Sequence, residues 1–163
     1  MFDPRQSRPV RVRIQNIKSG RYLSIEKDQS NWNNDDASLS IRDWLNKPVL
    51  ESPQVWNIIP FRTGNWILLN QYSMAAACIR ARSVENNATV IQYHPQIETM
   101  HNYSDPFQLW IFEPISNGNW YIQNLKSKRY IGPESRSTAN DHFCIQWDKQ
   151  PEDSYQQWEF EEI

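Results

Sequence analysis

Trp56-Asn57-Ile58-Ile59-Pro60-Phe61-Arg62-Thr63-Gly64-Asn65-Trp66 returns 54 residues later as Trp110-Ile111-Phe112-Glu113-Pro114-Ile115-Ser116-Asn117-Gly118-Asn119-Trp120. Trp, Pro, Gly, Asn and Trp hold the same places in both. Twice that step separates Ile14-Gln15-Asn16-Ile17-Lys18-Ser19-Gly20-Arg21-Tyr22-Leu23 from Ile122-Gln123-Asn124-Leu125-Lys126-Ser127-Lys128-Arg129-Tyr130-Ile131. The chain is therefore one unit written three times, with repeats at about 12–65, 66–119 and 120–163.

Each repeat closes on Gln-x-Trp: Gln54-Val55-Trp56, Gln108-Leu109-Trp110 and Gln156-Gln157-Trp158. The closing tryptophans are 54 and then 48 residues apart, which places a loss of about six residues in a loop of the third unit. Three Gln-x-Trp units in a chain of this length resemble the ricin-B-type lectins over nearly the whole sequence, from Val12 to Phe160. The resemblance implies a single all-β domain, a β-trefoil of three four-stranded repeats with pseudo-threefold symmetry. It also implies that Trp56, Trp110 and Trp158 meet near the symmetry axis while each motif glutamine holds nearby backbone groups.

The local patterns agree with twelve short strands. Val12-Arg13-Ile14-Gln15-Asn16-Ile17 alternates apolar and polar side chains, the period of a half-buried strand. Tyr22-Leu23-Ser24-Ile25, Leu39-Ser40-Ile41-Arg42 and the segment 54–59 complete unit one. Segments 66–69, 76–79, 89–92 and 107–112 repeat the plan in unit two, and 120–123, 129–131, 142–146 and 157–160 in unit three. The connections 27–36 and 94–106 are long and polar and are expected to be loops.

Bulk properties narrow the function. With 163 residues the chain holds one domain. A net charge of −2 from 17 basic and 19 acidic residues offers no field for gathering polyanions, which argues against nucleic acid. The basic arm 5–13 is expected to be a solvated tail entering the first strand. Mean hydropathy is −0.79 despite 8 Trp, 7 Tyr and 6 Phe, so aromatic rings must supply much of the buried area. No apolar run approaches the ~20 residues of a membrane span, and Met1-Phe2-Asp3-Pro4 opens no apolar signal segment, so a cytoplasmic protein without membrane insertion is expected. Cys78 and Cys144 stand at unlike places in different units and suit a reducing compartment as apolar filler. The sequons at Asn87 and Asn102 would matter only in a glycosylating compartment.

Five tryptophans belong to the repeat, leaving Trp32, Trp44 and Trp147. Anchoring on the third-strand isoleucine aligns Ile41-Arg42-Asp43-Trp44, Ile91-Gln92-Tyr93-His94 and Ile145-Gln146-Trp147-Asp148. Each unit then sets an aromatic ring beside a polar group where strand three enters its loop. A sugar site needs that pairing, a flat ring for the pyranose C–H face and hydrogen-bonding groups for hydroxyls. The candidate carbohydrate-binding residues are Trp147, Asp148 and Gln146, then Trp44 and Asp43, then Tyr93, His94 and Gln92. Loop-closing packing is the competing role for each ring.

The chain departs from the family in its polar partners. The lectin Asp of the second strand falls at or near Ser24, Arg80 and Gly132, so it is missing from all three units. The Asn or His that often precedes Gln-x-Trp is replaced by Pro53, Phe107 and Tyr155. The expected function is non-catalytic recognition of glycans or glycoproteins without a cofactor, as in defence lectins and toxin modules. Affinity is expected to rest on several shallow sites or a homodimer. A β-trefoil protease inhibitor or a protein-interaction module that has lost sugar binding is the alternative. No enzyme is expected: His142 and Cys144 lie two apart on one strand but lack an orienting third group, and His94, His101 and His142 have no metal-ligand spacing.

Overall fold

The computed structural model describes residues 8–26, 35–62, 64–99, 102, 103 and 105–163, and only the backbone of 97–99, 102 and 103. Trp32, His101 and most of the 27–36 loop lie outside the described residues.

Six strands close a barrel: β1 (Val10–Asn16), β4 (Trp56–Pro60), β5 (Trp66–Asn70), β10 (Trp110–Pro114), β11 (Trp120–Asn124) and β14 (Gln157–Glu162). Each pairs antiparallel with the next, and β14 returns to β1. Closure runs through the motif tryptophans, since Trp56 pairs with Val12, Trp110 with Trp66 and Trp158 with Trp120. Gly64 and Gly118 turn the strand pairs at φ +80° and +79°, which L side chains rarely adopt.

Three hairpins cap one end: β2 (Tyr22–Ile25) with β3 (Leu39–Arg42), β6 (Ala76–Ile79) with β7 (Val90–Tyr93), and β12 (Tyr130–Pro133) with β13 (His142–Trp147). Single bridges Ser38 to Ile91 and Thr89 to Ile145, with the His142 to Ile41 pairing, join the hairpins into a ring. The twelve strands are the expected ones with shifted ends. The 94–106 connection differs from the expected loop, because β8 (Ile97–Thr99) and β9 (Asn102–Tyr103) pair within it.

Trp56, Trp110 and Trp158 are wholly buried in one core with Ile58, Phe112 and Phe160. Each indole N–H donates across the hairpin, to the Leu23, Ala77 and Ile131 carbonyls at 2.9, 3.1 and 3.1 Å. Each motif glutamine spans the end of strand three. Gln54, Gln108 and Gln156 donate to the Asp43, His94 and Asp148 carbonyls and accept from the Leu45, Gln96 and Gln150 amides. Buried glutamines thereby satisfy backbone groups that the strand end leaves unpaired. Asn16, Asn70 and Asn124, also wholly buried, do the same at the barrel turns. Asn124, for example, donates to the Phe107 and Leu109 carbonyls and accepts from the Lys126 and Ser127 amides.

Candidate functional site

The threefold hydrogen-bond pattern gives a register that side-chain identity alone does not. Since the motif glutamines bind the Asp43, His94 and Asp148 carbonyls, those residues are equivalent. Arg42, Tyr93 and Trp147 then share a position, each paired with the first residue of the preceding strand, Tyr22, Ala76 or Tyr130. The alignment on Ile41, Ile91 and Ile145 is therefore one residue out in unit one: Ile41 stands with Gln92 and Gln146, and all three are wholly or nearly wholly buried. Likewise Cys78, not Arg80, is the counterpart of Ser24 and Gly132, each following the carbonyl that binds a motif indole.

This register sorts the candidate residues. Gln146 is fully buried; its amide donates to the Ser83 and Glu85 carbonyls and its oxygen accepts from Ser127. Gln92 is equally buried and accepts from Ser73. Both act as struts, out of reach of a ligand, because a side chain on the core face of a strand end cannot also point outward. Asp43 and Asp148 bind Asn140 and Asn86 of the neighbouring unit, at 2.7 Å each, and Arg21 and Arg129 brace the same groups. His94 Nδ1 donates to Asp35 and Nε2 accepts from Gln96, both at 2.6 Å. Three equivalent residues thus tie each unit to its neighbour.

Trp44 is half-buried and occupies the next position along, shared with Pro95 and Lys149. Arg13 covers its face at 4.1 Å and Tyr22 meets it edge-on at 5.5 Å. Its stacking surface is taken, so it packs the loop down in place of offering a platform. Tyr93 is half-buried against the core, with His94 over it at 4.3 Å. Trp147 is 40% exposed, and among the described residues its ring meets no other ring or cation.

Trp147 forms one wall of a cavity of about 380 Å³. Tyr155, Ser135, Arg136, Gln150 and Asn87 complete the rim, Asn87 arriving from unit two. Gly132 and Ile145 lie beneath. A Cβ on Gly132 would sit 3.2 Å from Gln156 Cγ and from the Tyr155 carbonyl, so glycine lets the turn Ser154–Gln156 close on β12. Asp153, buried at the base, accepts the Tyr155 amide at 2.9 Å and pairs with Arg136 at 2.8 Å. Each carboxylate oxygen has a partner within the unit. Among the described residues, the polar ends of Asn87, Ser135, Gln150 and Tyr155 have no hydrogen-bond partner in the chain. Sequence reasoning missed these four as ligand groups. Tyr155 had a signal, standing directly before Gln-x-Trp; Asn87 had none, because a different unit delivers it.

Cys144 is sealed in the core, and burial pushes its thiol well above the usual range. Burial first, then the nearby Asp105 carboxylate, push Cys78 up to about 12. Neither thiol supplies a nucleophile near neutral pH. Among the described residues no group of three His, Cys, Asp or Glu could hold a metal ion. Among them, too, no helix is long and apolar enough to cross a membrane.

No protein-family model matches the sequence, and no curated protein does. The backbone superposes on the designed threefold-symmetric protein ThreeFoil with a TM-score of 0.80, covering 94% of this chain and 99% of that one at 20% identity. The chain is a β-trefoil. The trefoil is also similar to the Polyporus squamosus lectin bound to a human-type influenza-binding epitope, with TM-score 0.75 and 15% identity over 100% of this chain and 51% of that one. It is similar as well to the Rhizoctonia solani agglutinin, with TM-score 0.75 and 12% identity over 99% and 100%. At these identities the likeness is one of fold, which is as far as the resemblance to ricin-B-type lectins is carried.

Proposed function

We propose that this trefoil is a carbohydrate-binding protein whose glycan site is the Trp147 cavity of unit three. One observation carries the reading: a half-exposed indole lines a cavity together with four polar side chains that have no hydrogen-bond partner among the described residues. Sugar binding asks for that division of labour, ring against C–H face and neutral polar groups against hydroxyls. Asp153 does not replace the missing lectin aspartate, because it is buried and holds the Tyr155 amide and Arg136. A familiar galactose mode is therefore set aside in favour of recognition by Asn87, Ser135, Gln150 and Tyr155. The similarity in fold to a lectin and an agglutinin supports the reading, and two buried free thiols suit a reducing compartment.

The test is a broad glycan array probed with folded wild-type protein and with Trp147→Ala. Binding to a defined set of saccharides that Trp147→Ala abolishes is expected. A blank array from folded wild-type protein overturns the reading and directs attention to protease inhibition.

A further inference from the structure

We infer that the trefoil has one glycan site per chain, the platforms of units one and two having been turned into structural struts. This inference rests on the glycan reading and concerns how many sites it has.

The three units serve as internal controls for one another. At the platform position unit three has Trp147, unit two Tyr93 and unit one Arg42. Arg42 is not aromatic, is 8% exposed, and its guanidinium pairs with Asp141 of unit three. An arginine so buried and paired offers no aromatic face for a saccharide to stack on. Tyr93 keeps an aromatic ring but leans on the core, and His94 covers it. His94 cannot swing aside freely, since Asp35 and Gln96 hold its two nitrogens.

The rims differ in the same sense. Tyr155 lines the unit-three cavity and carries a hydroxyl, whereas its counterparts Phe107 and Pro53 are buried and carry no polar side-chain atom. Gly132 also differs from its counterparts Cys78 and Ser24, since a Cβ there would meet the turn 154–156 at 3.2 Å. Two independent positions, the platform and the residue before Gln-x-Trp, therefore set unit three apart from the other two. A single-site trefoil binds glycans without bridging them, so its affinity comes from one pocket with no avidity within the chain.

The experiment titrates the wild-type protein by calorimetry with the tightest-binding oligosaccharide from the array, alongside sedimentation to fix the number of chains per particle. One saccharide per chain is expected. Trp147→Ala should weaken binding by about 30-fold or more, whereas Tyr93→Leu should leave affinity and stoichiometry as in wild type. Two or three saccharides per chain, or binding that survives Trp147→Ala and is lost with Tyr93→Leu, overturns the inference while sparing the glycan reading. Absence of any saccharide ligand overturns both.

Discussion

The Arg13 guanidinium carbon lies 4.1 Å from the centre of the Trp44 ring, and unit three holds the same pair reversed, with Lys149 Nζ 4.7 Å from the Tyr121 ring. Arg13 and Tyr121 are equivalent strand positions, each two residues before the glutamine that pairs with Tyr22 or Tyr130. Trp44 and Lys149 are equivalent loop positions. Cation and ring have changed places while the contact is kept. An acid completes each cluster, Glu161 beside Arg13 and Glu113 beside Lys149. Unit two has Ile67 and Pro95 at these positions, neither of them charged. The two clamps pin the loop that follows strand three in units one and three, and in unit three that loop carries Gln150 beyond Trp147.

Lys149→Met should therefore loosen the Trp147 loop without emptying the core. The expected cost in stability is ~1 kcal/mol, the scale of a partly exposed cation–π contact with an ion pair. Saccharide affinity should fall more steeply than stability, and Lys149→Arg should restore it. Calorimetric binding measured beside thermal melts checks this; equal loss in Lys149→Arg would show that the cation is not what matters.

Trp110→Ala removes a wholly buried indole and its 3.1 Å bond to the Ala77 carbonyl. A loss of ~3–5 kcal/mol is expected in denaturant unfolding. Trp44→Ala, half-buried at the surface, should cost much less and leave saccharide binding intact. Undiminished stability in Trp110→Ala would contradict the core described above.

Gly132→Ala places a methyl 3.2 Å from the Tyr155 carbonyl and Gln156 Cγ. The turn bearing Tyr155 must then retreat from β12, at ~1–3 kcal/mol. Because Tyr155 forms the cavity rim, saccharide affinity should drop along with stability. A melt and a titration of the same variant separate the two effects, and a variant that binds as wild type would place Tyr155 outside the site.

Tyr130 is buried, and burial together with its bond to Glu113 pushes the phenol from its ordinary 10.0 up to about 12. The folded protein holds this proton more tightly than the unfolded chain does. Its stabilising contribution is thus complete below pH 10 and is lost as pH rises toward about 12. Thermal melts across that interval should show a decline that Tyr130→Phe reduces. At the acid end Glu113 behaves oppositely: burial raises its carboxyl, but the Lys149 and Tyr130 bonds outweigh it and hold the group below 4.5. Its contribution is present above 4.5 and is lost as pH falls through the depressed value.

Much of the fold was legible because its signals are local and repeated. Gln-x-Trp and the period-two strands recur in all three units and the Gly-Asn turn in two, so tertiary packing would have to override the same signal repeatedly. The site was legible only in part. Trp147 stood out as a tryptophan the repeat did not need. Gln146, its neighbour along the chain, and Gln92, which precedes Tyr93, face inward, because successive residues of a strand point to opposite faces and the outward one is set by backbone register. Matching isoleucines misjudged that register by one residue in unit one, where Ser40 takes the place of Ile91 and Ile145.

The sequence by itself determined the threefold architecture, the strand inventory and the core tryptophans, since each follows from hydrophobic period and turn chemistry within a single unit. Tertiary structure alone decided which surface aromatic is free. Arg13 covers Trp44, His94 covers Tyr93 and Asp141 claims Arg42, while Asn87 crosses from unit two to meet Trp147. Most of these meetings join residues distant along the chain, and the units share borders only after the barrel closes. Exposure of a ring depends on such neighbours, and no local pattern encodes them.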